Sequence, residues 1–174
     1  LYLKTQPRNW AGGEIITDLV MEQWLTLEGG LARLKYRMVY QGKKEHKATH
    51  QELPAVFVTP RCDTLVFCEK GSSEPVKKQP GKSNEYFHTS EPWAAWVDAT
   101  GAGLGVYFPH ASFFTCYRVR DSGVGNVSYL SPLQTFALKP GMTFEYETVL
   151  AIGNAEQLRA VFTQLEKQRT QKKK

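Results

Sequence analysis

The sequence contains no apolar run approaching the ~20 residues that cross a bilayer, so no membrane-spanning helix is expected. Cysteine is scarce: Cys62, Cys68 and Cys116 are the only three. An odd count gives no disulfide framework, and the lack of a Cys-x-x-Cys pair argues against a zinc site. Read as residues of one strand, Cys62 and Cys68 share a side and lie about 20 Å apart when extended. That is too far for a bridge. One bridge to Cys116 stays open beside the plainer expectation of buried free thiols. No serine nucleophile elbow, calcium-binding helix–loop–helix or internal repeat occurs. Gly101, Gly103 and Gly105 follow a strand but lead into another strand, LGVYF. They lack the helix N-terminus that a phosphate loop needs, and read as turn and close-packing glycines. The opening LYLK has neither an initiator methionine nor a signal-peptide pattern. The expectation is a mature form or a fragment of a longer protein.

What is present is a globular composition. The 174 residues are 41% hydrophobic and 12% aromatic, suited to one domain spanning 1–174. The net charge is +5, but six lysines explain it. Lys172, Lys173 and Lys174 end the chain, and Lys77, Lys78 and Lys82 lie in a Pro/Gly/Ser-rich stretch. Setting these aside brings the balance to about zero, which favours solvated tails and loops over a nucleic-acid face.

Period-two alternation dominates. DLVMEQWLTL (Asp18–Leu27) and LARLKYRMVY flank Glu28-Gly29-Gly30 and read as a β-hairpin with a basic outer face, Arg33, Lys35 and Arg37. Further strands are expected over Lys47–Thr59, interrupted by Pro54 at an edge or bulge, and over Asp63–Glu69, Trp93–Asp98, Leu104–Phe108, Phe113–Arg120, Val127–Leu138 (one strand or two) and Met142–Ile152. Lys70–Ser90 reads as a loop of about 20 residues, a length that is usually functional or disordered. From Asn154 the period changes. Leu158, Val161, Phe162 and Leu165 fall at helical spacing, with Asn154 as N-cap and Gln157 at the capping-box position. About ten strands and one terminal helix indicate an all-β, antiparallel β-sandwich, supersandwich or jelly-roll-like, with a closed barrel as the alternative.

Two stretches carry candidate chemistry. In HKATHQE, His46, His50 and Glu52 project to one side of a strand, with His50 and Glu52 about 7 Å apart. A base and a carboxylate so placed suit proton transfer around one substrate, or two ligands of a metal, and a solvated or hydrogen-bonded polar face is the plain alternative. In EPWAAWVDATGAGLGVYF, Trp93 and Trp96 differ by three and so face opposite sides of a strand. One is expected in the core and the other on a surface where it stacks on a sugar or a base. Glu85, Tyr86, His88 and Glu91 close the long loop, a candidate lid. Tyr117, Arg118 and Arg120 lie on a strand where an arginine supplies a hydrogen-bonding cation.

HQELPAVFVTPRCDTLVFCE and EPWAAWVDATGAGLGVYFPHASFFTCYR, with DLVMEQW and YLSPLQTFALKPGMTFEYETVLAIG, resemble a group of bacterial proteins, mostly uncharacterised, with a galactose-mutarotase-like, carbohydrate-active β-sandwich. The resemblance spans about Asp18 to Phe162 and rests on an overall run of segments. It implies a large antiparallel sandwich whose concave sheet faces a saccharide. Mutarotases use a His, His and Glu set, for which His50 and Glu52 are the loose match here. The chain is short for the full supersandwich, so the expectation is its C-terminal portion.

The leading expectation is thus a carbohydrate-associated domain of a larger secreted or periplasmic protein. Its catalytic residues are His50 and Glu52, and its ligand-binding residues are Glu85, His88, Trp93, Trp96, Tyr107 and Arg118. A hydrolytic version needs a second acid, for which Glu85 and Glu91 are the candidates. No cofactor, metal, nucleic acid or membrane is expected; the partners are a saccharide and other domains of a parent protein. The second class is a non-catalytic structural or interaction domain. The third is a nucleic-acid binder using Arg33, Lys35 and Arg37 beside Lys43, Lys44 and Lys47.

Overall fold

The computed structural model describes residues 1–9, 11–120 and 125–172, so Lys173 and Lys174 of the terminal lysine run lie outside the described residues. Twelve strands and one helix follow in chain order: β1 (Tyr2–Thr5), β2 (Leu19–Glu28), β3 (Leu31–Tyr40), β4 (His46–Glu52), β5 (Val56–Val58), β6 (Thr64–Glu69), β7 (Val76–Lys78), β8 (Glu85–Val97), β9 (Ala102–Tyr107), β10 (Phe113–Val119), β11 (Val127–Leu138), β12 (Thr143–Asn154) and α1 (Ala155–Gln171). All pairings between them are antiparallel. The main path runs β1-β2-β3-β12-β9-β8-β10-β11-β4, with β6 and β7 beyond β8 and β5 beside β11. It ends in edges and does not close, so the architecture is a sandwich and not a barrel.

β8 joins the two layers. Its second half, Trp93–Val97, pairs with β9, and Ala94–Val97 with β6; its first half, Glu85–His88, pairs with β10. The alternation within it explains the packing. Ala94 and Trp96 join Leu65, Phe67 and Val106 of the large sheet against Phe114, Cys116, Leu130 and Val56 of the second layer. Trp93, Ala95 and Val97 point the other way, with Val66, Cys68 and Tyr107, to meet Leu158, Phe162 and Leu165 of α1. The capping box expected at Asn154 and Gln157 is formed. Val161, placed by spacing on the same stripe, is 36% exposed.

Several expectations need correction. The segment read as a loop from Lys70 to Ser90 contains β7 and the first half of β8, so NEYFHTSEPW is not a lid. Its weak apolar content hid the alternation of Tyr86 and His88 against Phe87 and Thr89. Cys62 precedes β6 and faces the inter-sheet core, whereas Cys68 faces the helix. Cys62, Cys68 and Cys116 are all free and buried. The hairpin turn is as expected, and both its glycines take positive φ, Gly29 at 55° and Gly30 at 79°, where a side chain is disfavoured.

Candidate functional site

In the second layer, Phe114, Cys116 and Leu130 fill the core. Strand periodicity therefore sends Phe113, Thr115 and Tyr117 of β10, and Tyr129, Ser131 and Leu133 of β11, to the outer face. Register aligns His88 with Phe113, Tyr86 with Thr115, and Tyr117 with Tyr129. On the far side of β11, Glu52 pairs with Leu133, His50 with Thr135, and Phe57 with Tyr129. His50, Glu52 and His88, three of the residues singled out from sequence, thus come to one face.

That face has two clusters. In the first, the His50 ring lies 5.4 Å from Phe113 and 6.2 Å from Tyr86, and the His88 ring lies 5.4 Å from Phe113. His50 Nδ1 and Thr135 Oγ1 are hydrogen-bonded at 2.8 Å, which orients the imidazole. In the second, Glu52 lines a hollow of about 490 Å³ with Ala55, Phe57, Asn84, Tyr117 and Tyr129. Tyr117 stacks on Tyr129 at 4.4 Å, and Phe57 lies 5.0 Å from Tyr129. Burial pushes the Tyr129 phenol well up, and the neighbouring Glu52 carboxylate pushes it further. Tyr129, Phe57 and Asn84 were not singled out in the sequence and Tyr117 was named only beside Arg118 and Arg120, although the aromatic content of β10 and β11 was an available signal.

The other expected residues are placed elsewhere. Trp93 and Trp96 do face opposite sides, but each is 1% exposed, because α1 covers one side of β8 and the second layer covers the other. Neither ring presents a stacking surface. Tyr107 donates to Glu166 Oε2 at 2.6 Å beneath α1. Arg118 donates to the Asp63 carbonyl at 3.1 Å. Glu85 accepts from the Gly81 N–H at 2.7 Å, at the register of core-facing Cys116.

Glu91 does not serve as the second acid either. It accepts from Trp93 Nε1 at 2.8 Å and from Arg159 Nη2 at 2.6 Å. Burial alone would raise its carboxyl, but the bonds from Arg159 and Trp93 outweigh that and hold it below its ordinary value. Among the described residues, no three His, Cys, Asp or Glu side chains are grouped to hold a metal ion. The basic strand is neutralised, with Arg33 by Glu28 at 3.5 Å, Lys35 by Glu145 at 3.4 Å and Arg37 by Glu22 at 3.2 Å.

No protein-family model matches the chain, and no curated protein matches it significantly. Solved structures do. A provisionally assigned aldose 1-epimerase of Escherichia coli K12 superposes with a TM-score of 0.52 at 14% identity, over 88% of this chain and 65% of its own. A second such epimerase, from Klebsiella pneumoniae, gives 0.53 at 16% identity over 94% of this chain and 53% of its own. The α-galactosidase of Lactobacillus brevis gives 0.60 at 12% identity over 86% of this chain and 24% of its own. The chain therefore spans less than two thirds of these neighbours, and it has the antiparallel β-sandwich fold that they contain.

Proposed function

We propose that the outer face of the β4, β11, β10 and β8 layer binds a saccharide, and that the chain is one β-sandwich domain of a carbohydrate-binding or carbohydrate-processing protein. One observation carries this reading. His50, Glu52 and His88 share a face with the exposed rings of Tyr86 and Phe57, which are 54% and 53% exposed. Exposed rings suit the apolar C–H faces of a pyranose, while imidazole and carboxylate hydrogen-bond its hydroxyls. The fold supports the reading, because neighbours that share it are named for acting on aldoses and galactosides.

The residues also limit the chemistry. Glycoside hydrolysis usually takes two carboxyl groups about 5–10 Å apart. Glu85 and Glu91 are both committed elsewhere. A carboxylate with nearby imidazoles instead suits proton transfer at an anomeric centre, where one group takes a proton and another supplies it. In this reading Glu52 is the base and His50 the acid. Titrating the protein with galactose under NMR observation is expected to shift the His50, Tyr86 and His88 resonances. Shifts confined to another surface would overturn the assignment. Saturation transfer between the galactose anomers, lost in Glu52→Gln, tests the proton-transfer version.

A second reading, a domain that packs on others without a ligand, is favoured by a separate observation. Leu27 and Ile152 are 78% and 83% exposed. With Leu104 and Leu150 they line an apolar recess of about 310 Å³ at one end of the large sheet. Light scattering of the wild type and Ile152→Lys tests it. Self-association or shared burial of the recess supports the second reading, and a monomer unaffected by the charge does not.

A further inference from the structure

We propose that the hollow formed by β5, β10, β11 and the end of β4 is a subsite for one uncharged pyranose ring, with Tyr129 as hydrogen-bond donor and Phe57 as stacking platform. This rests on the saccharide reading above and narrows it to a ligand class.

Tyr129 carries the inference. It is 2% exposed, yet its hydroxyl is buried without a hydrogen bond of good geometry. Buried polar groups are nearly always satisfied, so an orphan of this kind calls for an explanation. Tyr129 lines the hollow together with Glu52 and Asn84. Glu52 is near enough to raise the phenol and Ser131 near enough to lower it, yet neither meets the hydroxyl in good hydrogen-bond geometry; a phenol donates and an ionised carboxylate only accepts. A ligand hydroxyl set between them accepts from Tyr129 and donates to Glu52, satisfying both. Carbohydrate is the ligand class that combines such hydroxyls with flat C–H faces.

Aromatic placement agrees. Tyr117 stacks on Tyr129 at 4.4 Å and holds its ring from one side. Phe57 sits on β5, a strand of three residues that pairs with β11, and is 53% exposed. A half-exposed phenylalanine at the mouth of a hollow offers the face on which a sugar ring stacks.

Charge sets the selectivity. Among the described residues, no lysine or arginine lines the hollow, and Glu52 is the carboxylate that does. A uronate or a sugar phosphate would bring a second negative charge beside that carboxylate with no cation to offset it. Uncharged pyranoses are therefore preferred.

Calorimetric titration with methyl β-galactoside, methyl β-glucoside and glucuronate tests the proposal on wild type, Tyr129→Phe, Phe57→Ala and Glu52→Gln. At least one neutral glycoside is expected to bind at least about tenfold more tightly than glucuronate. Tyr129→Phe, which removes one oxygen and preserves the ring, is expected to weaken it by about tenfold, the size of one hydrogen bond. Phe57→Ala is expected to do at least as much, and Glu52→Gln to narrow the neutral-to-anionic ratio. Neutral binding unaffected by Tyr129→Phe and Phe57→Ala but abolished by His50→Ala overturns the subsite and leaves the saccharide reading standing. Equal binding of glucuronate and glycosides to the wild type overturns the charge selectivity. Folded wild type that binds none of the three overturns both.

Discussion

Arg159 and Glu91 show how single side chains tie the helix to the sandwich. Arg159 bonds both carboxylate oxygens of Glu91, at 2.6 Å and 3.2 Å, and the Ser73 carbonyl at 2.6 Å. Because the folded Glu91 carboxyl titrates below the ordinary 4.5, the stability it contributes is present above that value. It fades as pH falls through the lower folded value. Arg159→Met is expected to cost about 1–2 kcal/mol near neutrality, modest because the pair is partly exposed. That difference should shrink as urea denaturation is repeated at successively lower pH, because Glu91 needs no cation once it is protonated; a difference that stays constant down to acid pH would contradict the account. Burial likewise pushes the Cys68 and Cys116 thiols up to about 12. Native protein should react slowly with a thiol reagent at pH 8 and release all three thiols in denaturant. Fast labelling of a native thiol would count against this packing.

Period-two alternation made part of the site legible at this scale, placing His50 and Glu52 on one side of a strand and the two tryptophans on opposite sides. It did not show that both sides of β8 are covered, because the landing place of α1 depends on contacts between residues far apart in sequence, such as Tyr107 and Glu166, 59 positions apart. Tyr129 was hidden for a similar reason. Its surroundings are set by Phe57 and Glu52, which come beside it through the pairings of β11 and not along the chain.

At the scale of elements, the docking of α1 turns on a missing side chain. A Cβ on Gly105 would stand 2.7 Å from Phe162 and 2.8 Å from Leu158. Both belong to the helix stripe buried against Trp93 and Tyr107. Gly105→Ala should therefore force the helix outward at a cost of about 1–3 kcal/mol. Asn154→Ala, which removes the cap, should cost about 1 kcal/mol. Both are read by denaturation, and equal stability of Gly105→Ala and the wild type would contradict the packing. The helix was the clearest element in the sequence because cap and period agree. β1 and β7, of four and three residues, were not seen, since strands so short carry too little alternation to register. β8 was seen only in its apolar half. Its polar half is a strand because it pairs with β10, which is a tertiary fact.

On the scale of the whole molecule, the sandwich directs its two faces to different tasks. The large sheet gives one side to α1 and to the ion pairs along β3. The second layer keeps an outer face with imidazoles, a carboxylate and exposed rings. A fold seen at 12–16% identity in epimerases and a galactosidase fits such a face without assigning a reaction to it. The central claim is that this face holds a saccharide. The most direct test is a glycan array probed with the wild-type protein and with the His50→Ala/Glu52→Ala double variant. Retention of a set of uncharged glycans by the wild type, lost by an equally well-folded double variant, is the predicted result. A folded wild type that retains no glycan, or a double variant that retains the same set, would contradict it.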